Sequence, residues 1–442
     1  MKIINGRMWA VLLLAFALIV AACGGDDDDG TDTTTGATET TAGSETTDTS
    51  GDTEAPGGTE TTEAMDETTA APSGEPLVFG MVLVGPRDDR GWSQAHYEAG
   101  EYLEEQLGAE MIVADLVNPA DKPETTVEQV IADMIDQGAQ LVFATSDDMK
   151  DGVELAAEAH PDVPMIWSSG DSAWVEGEAY RADLTNLANI MGRMEYGKMI
   201  AGCAAALQTE TGQIGYLGPL INDETRRLVA AAYLGARHCW EGEGNDAADL
   251  EFAVTWIGFW FEIPGVTLNP TDVVNEFYDG GADVVLSGID TTQAIVRGGQ
   301  RAAAGENVWA IPYDYEGACA EAEAACLGVP YFNWGPSYLE ATQSVIDGSF
   351  SADWKWIGPD WSDINNPDTS MIGWISGDGL AAENVDPLNT FIAGLADGSI
   401  DLWTGPLNYQ DGSPFLAEGE TATDQQIWYL PQLLEGMEGA SE

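Results

Sequence analysis

Positive charge is what this sequence has least of: 15 Lys+Arg stand against 76 Asp+Glu in 442 residues, a formal net charge of −61 at pH 7. Such a field repels polyanions, and no basic stripe of the kind phosphate contacts require occurs anywhere, so no nucleic acid is expected as a partner. Histidine is nearly as scarce, with only His96, His160 and His238, and the five cysteines form no paired Cys-x2-Cys clusters. A zinc centre is therefore not expected. A membrane-spanning run is missing too. Residues 9–20 (WAVLLLAFALIV) make an apolar stretch of 12, where a bilayer needs about 20. Lys2 and Arg7 precede it and Ala21-Ala22-Cys23 follows it, which reads as an export signal. Residues 20–23 (VAAC) resemble a lipobox. That resemblance implies a signal peptide over residues 1–22, cleavage before Cys23, lipidation of its thiol, and a protein anchored on the extracytoplasmic face of the cell membrane.

Residues 24–75 carry 15 acids and no Lys or Arg, and are otherwise mostly Thr, Gly, Ser and Ala. Such a segment cannot bury enough apolar surface to offset its ordering entropy. Residues 23–75 are thus expected to be a lipidated Cys followed by a disordered acidic tether, extended by its own charge over at least ~40 Å. The acidity does not end there, since 61 acids face 13 basic residues after position 75. That surface suits saline or cation-rich surroundings.

Beyond the tether the pattern alternates. Apolar strand runs at 77–84, 111–117, 141–145 and 165–168 are separated by helical periodicity at 93–107, 126–137 and 148–160. A long small-residue helix is predicted over 190–207. A second series then follows, with strands at 213–217, 252–257, 284–286 and 308–313 and helices at 225–236, 271–278 and 292–303. Apolar strands joined by helices of about a dozen residues mean parallel sheets with helices on both faces. The expected fold class is α/β, with two lobes: a first over 76–190, a second over 191–330, and a Trp-, Gly- and Pro-rich remainder over 331–442 that recrosses the hinge and completes both.

Apart from Cys23 there are four cysteines, an even number in an oxidising compartment. Of the three pairings, loop closure favours Cys319 with Cys326, which leaves Cys203 with Cys239; four buried thiols are the alternative.

Several segments carry a family resemblance: residues 84–96 (VGPRDDRGWSQAH), 143–146 (FATS), Trp256 with the aromatics after it, 281–284 (GADV) and 403–407 (WTGPL). Together they resemble the basic membrane protein family, the purine-nucleoside-binding lipoproteins of ABC importers, over essentially the whole mature domain. The resemblance implies a type I periplasmic-binding-protein-like fold that captures a purine base or nucleoside between its lobes, works as a monomer with a permease and an ATPase, and uses no cofactor. This sequence departs from the family pattern at Trp92, where many members have Phe, at 256–261 (WIGFWF), and at Asp147-Asp148.

In parallel α/β sheets ligands sit beyond the carboxyl ends of strands. The segments there supply aromatic faces for a flat heterocycle and carboxylates that accept hydrogen bonds from ring N–H, amino or hydroxyl groups. The candidate ligand-binding residues are Asp89, Trp92, Ser93, His96, Ser146, Trp256, Trp260, Asp290, Tyr313 and Asp314. Each also has a structural reading. Ser146, Asp290 and Asp314 could cap helices, His96 could be a helix residue of the core, and Trp92, Trp256 and Trp260 could pack lobe on lobe. No Arg or Lys cluster lies at these ends, which argues against phosphorylated ligands. Enzyme motifs are missing: there is no Gly-x-Ser-x-Gly, His-Glu-x-x-His or phosphate-cradling Gly-rich loop. Two alternatives remain at this level, a ligand-sensing lipoprotein that feeds a membrane sensor and an exported hydrolase acting on nucleosides or glycosides through acid pairs such as Asp88 and Asp89.

Overall fold

The structure, a computed structural model, describes residues 76–442. The expected signal segment, Cys23 and the tether lie outside the described residues. The chain runs through β1 (Val78–Val82), α1 (Trp92–Leu107), β2 (Glu110–Ala114), α2 (Val127–Asp136), β3 (Leu141–Ala144), α3 (Lys150–Ala159), β4 (Met165–Ser168) and β5 (Leu187–Gly192). It continues through α4 (Met194–Gln208), β6 (Gln213–Gly218), α5 (Asp223–Gly242), β7 (Glu251–Trp256), α6 (Pro270–Gly280), β8 (Val284–Ser287), α7 (Gln293–Ala303) and β9 (Trp309–Ile311). The last third supplies β10 (Gly328–Phe332), α8 (Gly335–Ile346), β11 (Trp354–Ile357), β12 (Ile372–Ser376), α9 (Ala382–Asp397), β13 (Leu407–Asn408), β14 (Pro414–Leu416), α10 (Asp424–Trp428) and β15 (Met437–Glu438).

Strands such as β3, with all four residues buried, have no polar face for water and so take helices on both sides. They assemble into two sheets, β2-β1-β3-β4-β5-β11 and β9-β8-β6-β7-β15. Every neighbouring pair in both is parallel. Each sheet is the centre of one α/β lobe, in keeping with the fold class expected from the alternation. The last third adds β11 beside β5 in the first sheet and β15 beside β7 in the second. It also pairs β12 with β10 in a small antiparallel ribbon.

One expectation needs correction. The long helix predicted from 190 begins only at Met194, and Leu187–Gly192 is a strand with all six residues buried. A strand buried on both faces shows no alternation, and Leu, Ala and Met are good helix formers, so β5 and α4 read as one element.

Helices α4 and α5 pack at very short range. A Cβ placed on Gly202 would lie 1.8 Å from the carbonyl oxygen of Ala232, so only glycine permits the approach. Next to Gly202, Cys203 of α4 forms a disulfide with Cys239 of α5 across 36 residues of sequence, while Cys319 and Cys326 form another across 7. A crosslink that closes a longer loop removes more entropy from the unfolded chain. The Cys203→Ala/Cys239→Ala variant should therefore lose about 3 to 4 kcal/mol in denaturant unfolding, and Cys319→Ala/Cys326→Ala less. Equal midpoints for the wild type and the first variant would show that α4 and α5 are held by packing alone.

Candidate functional site

Strand order locates the site. In the first sheet β1 lies between β2 and β3, and in the second β6 lies between β7 and β8. The chain leaves these central strands toward opposite sides, which opens a crevice at their carboxyl ends. The two crevices face each other. Gly91, at the start of α1, meets Asp290, after β8, so closely that a Cβ on Gly91 would fall 1.7 Å from the Asp290 carbonyl oxygen. Two further contacts cross between the lobes: Asn222 Nδ2 donates to Asp147 Oδ2 at 3.3 Å, and Arg90 pairs with Glu321.

Between the crevices lies a partly enclosed cavity lined by residues of both lobes. Its wall contains the rings of Trp92, Tyr216, Trp260 and Tyr313, the carboxyl groups of Asp147, Glu224 and Asp290, and the hydroxyls of Ser146, Ser169 and Thr225. No Lys or Arg lines it among the described residues. A more open space of about 310 Å³, lined also by Lys150 and Arg227, adjoins it and shares Asp147, Ser169 and Glu224 with it.

Five of the ten candidate residues thus meet in one wall: Trp92, Ser146, Trp260, Asp290 and Tyr313. The indole N–H of Trp92 donates to the carbonyl of Thr145 at 2.5 Å, which fixes the ring in the wall. Ser146 also caps the turn after β3, its hydroxyl accepting from the Asp148 N–H at 3.3 Å. The Trp260 indole N–H is buried without a partner.

The structure does not bring the other five to the wall. Asp89 uses its carboxylate on the backbone N–H groups of Gly91, Ser93 and Gln94 at the start of α1, a favourable place for negative charge. The Ser93 hydroxyl accepts from Gly85 N–H at 2.9 Å. His96 is fully buried, bonded through Nδ1 to the Tyr338 hydroxyl at 2.8 Å and stacked on Trp334 at 4.2 Å. It belongs to the core behind Trp92. Trp256 donates to the carbonyl of Ala440 at 2.8 Å. Asp314 is fully buried outside the lining, with positive φ and neither carboxylate oxygen bonded.

Sequence reasoning missed Tyr216 and Glu224. Both belong to the β6–α5 passage, the carboxyl end of the second central strand. The rule that placed the other loops applied here equally, and the Asn222–Thr225 capping box marks where the turn ends. Lys198 of α4, which nothing in the pattern of an apolar, small-residue helix marks out, lies behind the wall rather than in it. It is fully buried, donates to the Ser287 carbonyl at 2.7 Å and lies 3.2 Å from the centroid of the Tyr313 ring.

The electrostatics follow from burial. Loss of water pushes the Glu224 carboxyl up to about 7 against the opposing pull of Arg227, and raises Asp147 to about 6. Asp290 is driven well above the usual carboxylate range by burial and by the neighbouring Asp314, and Asp314 is driven up by burial and by Asp89 and Glu224 against the pull of Lys198. Burial lowers the Lys198 amine to about 7. Chemically, this cavity can stack a flat or apolar face and satisfy several hydrogen-bond donors, and it opposes any anion. Among the described residues no group of three or more His, Cys, Asp and Glu side chains is arranged to hold a metal ion.

Two parallel-sheet lobes whose crevices enclose such a cavity define a solute-binding protein of the type I periplasmic-binding-protein fold. The chain belongs to the ABC transporter substrate-binding protein PnrA-like family, which it matches over residues 77–354, the same family its loop motifs resemble. This is a transport family, not an enzyme class, and its members hand small molecules to a permease and ATPase. A purine-binding protein of Brucella abortus is 27% identical over 361 residues, 81% of this chain and 92% of that protein. A putative ABC transporter glucose-binding protein of Haloferax volcanii is 27% identical over 367 residues, 83% of this chain and 81% of that one. The crystal structure of ABC transporter solute-binding proteins from Aeropyrum pernix K1 shares the fold, with a TM-score of 0.59 at 12% identity over 81% of this chain and 100% of that chain.

The raised Glu224 carboxyl has a consequence for stability. Its neutral form is favoured in the folded protein, so this contribution is complete below the unfolded value near 4.5 and is lost as pH rises through about 7. Glu224→Gln should match the wild type at roughly pH 4 and exceed it by about 2 to 3 kcal/mol at roughly pH 8, in denaturant titrations of ligand-free protein. A less stable Gln variant at the higher pH would mean that Arg227 outweighs the cost of burial.

Proposed function

We propose that the protein captures a purine base or nucleoside between its lobes as the lipid-anchored, monomeric receptor of an ABC importer. The observation that carries this reading is the composition of the cavity wall: four aromatic rings, three carboxyl groups and no cation among the described residues. Flat heterocycles gain ~1 to 3 kcal/mol from each aromatic face they stack on. Carboxylates accept from the N–H and amino groups that purines present, and from ribose hydroxyls in the adjoining space. A phosphate group in the cavity itself would meet Asp147, Glu224 and Asp290 with no counter-charge, which selects against one there, while Lys150 and Arg227 lie in the adjoining space. The purine-binding relative in Brucella abortus supports the same ligand class.

In this reading Trp92 of the first lobe and Trp260 of the second hold opposite faces of the ring. A hexose is the second reading, favoured by the number of carboxyl groups and by the glucose-binding relative in Haloferax volcanii. The extent of the aromatic wall favours the purine. Trp260→Ala and Trp92→Ala should each weaken purine binding by ~1 to 3 kcal/mol. Calorimetric titration with adenine, guanine, adenosine, guanosine and glucose checks this, with product analysis afterwards to show that the ligand is returned unchanged. Glucose binding without any purine response would transfer the site to hexoses, and cleaved nucleoside would make the protein a hydrolase.

A further inference from the structure

Among the wall carboxyls Asp290 stands apart. It is 5% exposed and lines the cavity, yet no described protein group donates a hydrogen bond to its side chain; its only bond is from its backbone N–H to the Trp260 carbonyl at 3.0 Å. The groups around it are overwhelmingly acidic. Asp89 approaches from the start of α1, Asp148 from the turn after β3, Glu224 from α5, and Asp314 from the loop after β9. Tyr216 and Tyr313 complete this side of the wall. The cations nearby are both committed elsewhere: Lys198 donates to the Ser287 carbonyl against the Tyr313 ring, and Arg227 is paired with Glu195 at 2.8 Å. Carboxylates this crowded cannot all ionise in a site shut off from water. Glu224 is likewise buried, lines the cavity and has no donor to its side chain, but Arg227 and Lys198 act on it, whereas only acids act on Asp290.

A purine also needs donors, because its ring nitrogens carry in-plane lone pairs that an ionised carboxylate would repel. This inference rests on the purine reading above. We propose that Asp290 enters the complex as a neutral carboxylic acid and donates its O–H to an acceptor nitrogen of the bound purine, which makes it the residue that distinguishes ligands with a ring acceptor from those without. The proton stays on Asp290, so no bond is made or broken. Burial and the neighbouring carboxylates hold the group neutral well above the ordinary carboxylate range, and the ligand exploits a state the fold has already prepared, as the protonated acid of an oxyanion hole does.

The test is calorimetric titration of the mature protein with 9-methyladenine and adenosine, which do not themselves titrate over roughly pH 6 to 10, using the wild type, Asp290→Asn and Asp290→Ala. Asn is isosteric and keeps an N–H donor without a charge. The wild type should bind steadily at low pH and weaken by about tenfold per pH unit once Asp290 ionises. Asp290→Asn should bind within a few-fold of the wild type at neutral pH and lose that alkaline decline, while Asp290→Ala should bind at least tenfold more weakly at every pH. Wild-type binding with Asp290→Asn as impaired as Asp290→Ala would show a carboxylate acceptor and overturn the assignment alone. So would an undiminished alkaline decline in Asp290→Asn, which would assign it to Lys198, and so would full affinity in Asp290→Ala. No binding of either ligand by the wild type would instead remove the purine reading and this inference with it.

Discussion

The site depends on one steric permission. Gly91 and Asp290 come from different lobes, and their backbones meet at a distance that no side chain larger than hydrogen allows. Because that contact exists, the crevice beyond β1 and the crevice beyond β6 become a single enclosed wall. Trp92 follows Gly91 directly, and Asp290 carries its carboxyl into the same space. Closing the lobes therefore positions an aromatic plate from one side and an acid from the other. The lobe closure typical of such receptors is therefore the condition for these two groups to act together.

Closure also sets the electrostatics. In open water the six acids around the site would be ordinary surface groups. Drawn together and stripped of solvent, Glu224, Asp147 and Asp290 move toward their neutral forms, against which Arg227 acts on Glu224 and Asp147, Lys198 on Glu224 and Lys150 on Asp147. The result is a cavity whose own wall opposes anions. The strongly acidic surface of the remaining chain adds to that exclusion at longer range.

Much of this was legible in the residues. Apolar strands with helices between them determined a parallel α/β architecture, and the carboxyl-end rule pointed to Trp92, Ser146, Trp260, Asp290 and Tyr313 as neighbours although they are spread over more than 200 positions. What escaped did so for identifiable reasons. The strand β5 merged with α4 because a strand buried on both faces has no period of two. His96 shares a helix face with Trp92, one turn on, but whether that face meets ligand or core depends on α8, whose Tyr338 takes the imidazole. Trp256 was paired with Trp260 by proximity in sequence, whereas the turn after β7 sends one indole into the cavity and the other to the carbonyl of Ala440. Lys198 lies in a helix whose pattern is that of pure packing, and its partners Tyr216, Ser287 and Tyr313 come from elsewhere in the chain.

The central claim is that the enclosed, acid- and aromatic-lined cavity holds an uncharged purine. Receptors of this type bind tightly enough for ligand to accompany them through purification, with dissociation constants of micromolar or below corresponding to about −8 kcal/mol or better. The most direct measurement is mass spectrometry of the small molecules released when freshly purified protein is denatured. The account predicts a purine base or nucleoside in near-stoichiometric amount, and a hexose, a nucleotide or another organic phosphate in its place would contradict it.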